Sequence, residues 1–129
     1  GDETMRRRIL AMGLQRARQR MMQSVPKADG VVTNPTHIAV ALQYTGEPGK
    51  APIVLAKGRG FIAERIKAIA RENRVPVIER KPLARALFAS VEVGKEIPYD
   101  LLAYVYRIRG RVPSKAKDAM QNRASRGSV

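Results

Sequence analysis

The sequence contains no cysteine and only one histidine, His37. Without cysteine there is no disulfide, no thiolate nucleophile and no Cys-based zinc site, and the chain is compatible with a reducing, cytosolic location. One histidine cannot build a metal site, and no cofactor is expected. Long apolar runs are also missing: none approaches the ~20 residues of a membrane span. The stretch from Met5 to Leu14 is broken by Arg6, Arg7 and Arg8, so the start does not read as a signal peptide. Acidic residues number 11 against 25 basic ones, and they are scattered. No carboxylate pair suggests a hydrolase, and no Ser-His-acid set is evident. The opening Gly1-Asp2-Glu3 is not a natural initiation and reads as a piece of a longer protein.

What is present suits one globular domain: 129 residues, 44% hydrophobic and 28% charged. The net charge of +14 attracts polyanions, either nucleic acid or anionic lipid. It is concentrated on two arms. Arg6, Arg7, Arg8, Arg16, Arg18 and Arg20 lie in the first; Arg107, Arg109, Arg111, Lys115, Lys117, Arg123 and Arg126 lie in the last. The middle is nearly balanced. A nucleic-acid-binding domain is therefore favoured only by charge, since interleaved aromatics and any recognised RNA- or DNA-binding motif are absent.

Periodicity predicts a compact α/β domain over 24–109, with a mixed sheet of about four strands flanked by three short helices. A basic amphipathic linker helix over 1–23 precedes it, and a disordered basic tail over 110–129 follows. The linker can be read as a solvated helix, a membrane-surface segment or a nucleic-acid arm. Expected strands are Val31–Thr33, Ile38–Tyr44, Ile53–Ala56 and Pro76–Glu79. Helices are expected over 61–73, 83–91 and 99–108. Strand 53–56, helix 61–73 and strand 76–79 have the spacing of a right-handed βαβ unit, so those two strands should be parallel. Lys57-Gly58-Arg59-Gly60 lacks the spacing of a phosphate-binding loop and reads as a tight strand-to-helix turn. On the last helix, Leu101, Leu102, Val105 and Tyr106 should face the core.

One tetrapeptide calls for chemistry: Asn34-Pro35-Thr36-His37. It interrupts two strand-like runs with a proline, which belongs at a bulge, an edge or a turn. Pro35 also keeps Asn34 out of the helical region. An extended Asn34 can attack its own carbonyl carbon through its side-chain amide nitrogen, closing a five-membered succinimide and expelling Pro35 as a secondary amine. Fixed intramolecular orientation can be worth ~7–11 kcal/mol of barrier. His37 could accept the proton from the attacking amide. Thr36 could hydrogen-bond the developing oxyanion or steer the leaving nitrogen. Asn-Pro is also a common turn opener, and the tetrapeptide alone does not decide between the two.

Several segments occur together in order: Val-Pro-Lys-Ala-Asp (25–29), Val-Val-Thr-Asn-Pro-Thr-His-Ile-Ala-Val-Ala-Leu (31–42), Val-Leu-Ala-Lys-Gly (54–58), Arg-Val-Pro-Val-Ile-Glu (74–79), Pro-Leu-Ala-Arg-Ala-Leu-Phe (82–88) and Val-Glu-Val-Gly-Lys-Glu-Ile-Pro (91–98). On these the chain closely resembles the cytoplasmic domain of the FlhB/YscU family, the export-apparatus switch proteins of type III secretion systems. Val91 to Pro98 looks more like the flagellar branch than the injectisome branch. The resemblance implies a transmembrane region upstream of Gly1, a place at the cytoplasmic face of the bacterial inner membrane, and self-cleavage between Asn34 and Pro35. It implies a switch from rod and hook substrates to filament substrates. The implied partners are other export-apparatus proteins, export substrates and a hook-length control protein. Such a protein reacts once per chain and is not a turnover enzyme. Pro82 and Arg85 lie in a second motif of the family, and Arg85 is expected near the cleavage loop as part of a partner surface. The chain departs from the family between Pro98 and Leu102, where about seven residues, roughly two helical turns, are missing. Loss of whole turns preserves the helix face, so Val105 and Tyr106 could still dock.

Overall fold

The computed structural model describes residues 1–111. Helix α1 (Asp2–Ser24) runs into a short 3-10 turn (Val25–Lys27), then strands β1 (Gly30–Asn34), β2 (Ile38–Gln43) and β3 (Ile53–Arg59). Helix α2 (Phe61–Glu72), strand β4 (Val77–Glu79), helix α3 (Lys81–Ser90) and helix α4 (Tyr99–Arg111) complete the order. The sheet order is β3-β2-β1-β4. β2 pairs antiparallel with both β1 and β3, and β4 pairs parallel with β1. β3 and β4 therefore run in the same direction, as their spacing predicts, but two strands lie between them. The crossover through α2 carries the chain past β2 and β1 to the far edge.

Because side chains alternate along a strand, β1 feeds two cores. Val31 joins Val25, Ala39, Ala41, Ala56, Ile66 and Ala70 under α2. Val32 joins Val40, Leu42, Val54, Leu83, Leu87, Val105 and Ile108 under α3 and α4. Val31, Val32, Val40 and Val105 are all 0% exposed, and burying such a side chain contributes about 1.5–3 kcal/mol. The hairpin of β1 and β2 is thus the most enclosed part of the sheet.

Several expectations change, among them that Tyr106 faces the core, since it is exposed. Lys57-Gly58-Arg59 belongs to β3, opposite Val40, Ala39 and Ile38, and only Gly60 turns the chain, with φ 58°. A Cβ on Gly58 would collide with the Ile62 side chain, so its glycine lets α2 close down on the strand. In α1 the apolar residues form no single face. At 100° per residue Met5, Ile9 and Met12 lie on one side, Leu10, Leu14 and Met21 on the other. Met21 and Met22 pack against the core under α2, whereas Met5, Ile9, Leu10, Met12 and Leu14 are exposed. Finally, α4 continues to Arg111, past the expected boundary at 110; the rest of the expected tail lies outside the described residues.

Helix α4 docks through one face. Val105 and Ile108 are buried, while Leu101 and Leu102 are only partly so and Tyr106 is exposed. The Tyr44 hydroxyl donates to the Val105 carbonyl at 2.7 Å, and the Tyr44 ring lies 6.0 Å from that of Tyr106. Burial pushes the Tyr44 hydroxyl up to about 12, against the opposing pull of Arg109.

Candidate functional site

Asn34 is the last residue of β1 and pairs with Ile38, the first of β2, leaving Pro35, Thr36 and His37 as the connection. The backbone N–H of His37 donates to the Asn34 carbonyl at 3.0 Å, closing a four-residue turn. Pro35 occupies the second position, where its fixed φ suits a type I or II turn and its missing N–H removes nothing from the ladder. Thr36 occupies the third with φ 74°, the sign that type II requires and that normally selects glycine or asparagine. A β-branched residue there is an outlier, costing about 1–3 kcal/mol that the surroundings must impose.

Those surroundings are visible on both sides of the turn. The His37 carbonyl accepts from the backbone N–H of Gly60 at 3.0 Å, and the Thr33 carbonyl accepts from that of Arg80 at 3.0 Å. The strand immediately before the turn and the carbonyl at its end are therefore tied to α2 and α3, while the strand interiors are anchored in two cores.

Asn34 lies two residues after Val32 and so faces α3. It is only 9% exposed, whereas Thr36 and His37 are exposed. Asn34, Thr36, His37, Ile38, Arg59, Gly60 and Arg85 line one open depression of about 480 Å³. Arg85 thus comes to the loop from α3. Pro82 does not: it lies at the start of α3 and lines a separate groove with Leu83, Leu101 and Tyr104. Among the described residues the side-chain ion pairs are Arg7–Glu3, Lys50–Glu47 and Lys67–Glu64, so neither arginine in the depression has a carboxylate partner. The Arg59 guanidinium sits 4.6 Å from the centroid of Phe88, and Lys57 Nζ, beside it, donates to the Phe88 carbonyl at 2.8 Å.

This arrangement holds a carbonyl carbon, an amide side chain of the same residue and a proline nitrogen in one strained turn, with a hydrogen-bond donor already on the carbonyl oxygen. The sequence offers the Thr36 hydroxyl either to hydrogen-bond the developing oxyanion or to steer the leaving nitrogen; the donor that lies on the Asn34 carbonyl is the His37 backbone N–H. No residue-type signal could have revealed it, because every residue except proline carries that donor. Arg59 was likewise missed, as its placement depends on β3 extending beside β2.

A family model described as the FlhB HrpN YscU SpaS family matches residues 1–112. The flagellar biosynthetic protein FlhB of Salmonella typhimurium is 50% identical over 108 residues, covering 84% of this chain and 28% of that protein. FlhB of Aquifex aeolicus is 48% identical over 117 residues, covering 91% of this chain and 33% of that protein. The chain thus spans about a third of the length of these relatives. Among solved structures, the cytoplasmic domain of FlhB from Shewanella putrefaciens superposes with a TM-score of 0.71 at 37% identity, covering 74% of this chain and 78% of that one. An asparagine-to-alanine variant of the EscU C-terminal domain superposes with a TM-score of 0.69 at 29% identity, covering 74% and 95%. From the ordered motifs, the sheet with its Asn-Pro-Thr-His turn and these likenesses together, the chain belongs to the FlhB/YscU family and corresponds to the cytoplasmic domain of its flagellar members.

Proposed function

We propose that this domain cuts itself once between Asn34 and Pro35 and thereby changes which substrates a flagellar type III exporter accepts. The observation that carries the reading is the turn itself: the Asn34 carbonyl accepts the His37 N–H while Thr36 holds φ 74°. In the reaction the Asn34 amide nitrogen bonds to its own carbonyl carbon and loses a proton, with the exposed His37 imidazole as acceptor. Negative charge grows on the carbonyl oxygen, where the His37 N–H already points; such donors are worth ~2.7–4 kcal/mol in other acyl transfers. The Asn34–Pro35 bond then breaks, Pro35 leaves with a proton as a secondary amine, and Asn34 becomes a succinimide that water opens. Each chain reacts once, so the domain is not a turnover enzyme.

The cut leaves both strands paired and both cores closed, so fragments 1–34 and 35–129 stay together while the surface around residues 34–37 is remade. This local change is the switch from rod and hook to filament substrates. Its readers are export-apparatus proteins, export substrates and a hook-length control protein at the cytoplasmic face of the inner membrane. Denaturing mass analysis tests the chemistry: two fragments support it, and an uncut wild-type chain rejects it. A switch confined to the loop predicts that NMR spectra of cut and Asn34→Ala protein differ near 34–37 and agree elsewhere.

A further inference from the structure

Self-cleavage of this kind creates a charge at residue 34. When water adds to the succinimide, one imide C–N bond breaks, leaving one carboxylate and one carboxamide. Whether the main-chain or side-chain carbonyl is hydrolysed, the carboxylate belongs to residue 34 at the end of β1. That end opens on the depression where Arg59 and Arg85 are placed and which no acidic residue lines. Neither arginine has a carboxylate partner among the described residues. Arg59 is held in place by its contact with the Phe88 ring. Arg85 projects from a helix fixed by the burial of Ala84 and Leu87 on either side of it in sequence. Two arginines on separate elements thus line the same depression as a residue that is uncharged before the cut and anionic after it.

Resting on the self-cleavage reading above, we propose that Arg59 and Arg85 form a receptor for the carboxylate generated at residue 34. The ligand is supplied in place and at fixed geometry, so a modest site suffices. Guanidinium groups suit a carboxylate because their planar donors can match its two oxygens. The receptor replaces the broken bond by charge-assisted hydrogen bonds, pins the cut end of β1 against α3, and gives the cut surface a defined shape.

The test uses the full chain. Intact mass under denaturing conditions first reports whether it is cut; an uncut wild-type chain defeats both this proposal and the reading beneath it. With cut protein, release of fragment 1–34 is timed in mild urea at low and high salt for wild type and for Arg59→Gln, Arg85→Gln and the double variant. Exposed ion pairs are weak individually, so the double variant should release the fragment about three- to tenfold faster at low salt, with the difference shrinking at high salt. Replacing both by lysine should restore most of the lag. Release equal to wild type in the double variant overturns the receptor while leaving self-cleavage standing. A second measurement needs no variant. The carboxyl of ¹³C-labelled asparagine that appears only on cleavage should titrate about half a pH unit or more below that of the isolated 34-residue peptide. Equal midpoints overturn the proposal, even if the arginine variants prove unable to cut themselves.

Discussion

The backbone N–H of His37 donates to the carbonyl of Asn34 at 3.0 Å across a turn in which Thr36 holds φ 74°. One residue therefore offers two separable groups, an amide fixed on the reacting carbonyl and an imidazole free to exchange protons. Their contributions can be tested independently.

His37→Ala keeps the amide and loses the imidazole. Self-cleavage should slow by about 100-fold or more, the usual contribution of a positioned base, without vanishing. An unchanged rate in the alanine variant, read in a quantitative gel or mass assay, would reduce His37 to its backbone role.

Asn34→Ala removes the nucleophile. The chain should remain whole by denaturing mass analysis and keep its fold by circular dichroism, since Asn34 ends a strand whose buried neighbours are untouched. Cutting at this bond in the alanine variant would end the cyclisation mechanism.

Thr36→Gly separates strain from chemistry. In the Asn34→Ala background it should raise unfolding stability by about 1 kcal/mol, because glycine accepts positive φ although it gains entropy when unfolded. In the self-cleaving background the rate should fall by up to about tenfold, as strain released on the way to the transition state is lost. A Thr36→Gly chain that is less stable in denaturant titration would show that the turn is not strained.

Tyr44 provides a pH signature for the docking of α4. Its hydroxyl is pushed up from its ordinary 10 to about 12, mainly by burial. A raised folded value means that the stabilisation is fully present below pH ~10 and is lost as pH rises through ~12. Discounted for its partial exposure, the loss should be on the order of 1 kcal/mol. Tyr44→Phe should cost about 1 kcal/mol at pH ~7, through loss of the hydroxyl's bond to the Val105 carbonyl, and should lack the alkaline loss. Identical alkaline profiles of the two chains in denaturant titrations would contradict this.

The exposed arginines of α1 should bind anionic vesicles at about 1 kcal/mol per basic residue near the surface and let go in high salt. Equal co-sedimentation with neutral vesicles would remove the electrostatic reading, and tight, sequence-dependent binding to DNA or RNA would favour a nucleic-acid role for the arm.

The strands of the hairpin and the apolar stripe of α2 were legible from the sequence because alternation and helical spacing are local properties of the chain. So was the Asn34-Pro35 break, since proline restricts its own residue and its neighbour whatever surrounds them. The order of ordered motifs marked the family for the same reason: it needs only residue identities. Tertiary structure alone decided that β4 joins β1 and that Lys57 to Arg59 remain in a strand. Each depends on which surface is available to pack against, which neighbouring residues along the chain do not encode. It also forced a threonine into positive φ against its own preference, held by bonds from Gly60 and Arg80 on remote elements. The meeting of Arg59 and Arg85 in one depression with Asn34 has the same origin: their separation in sequence says nothing about distance until a strand and a helix have packed on one sheet.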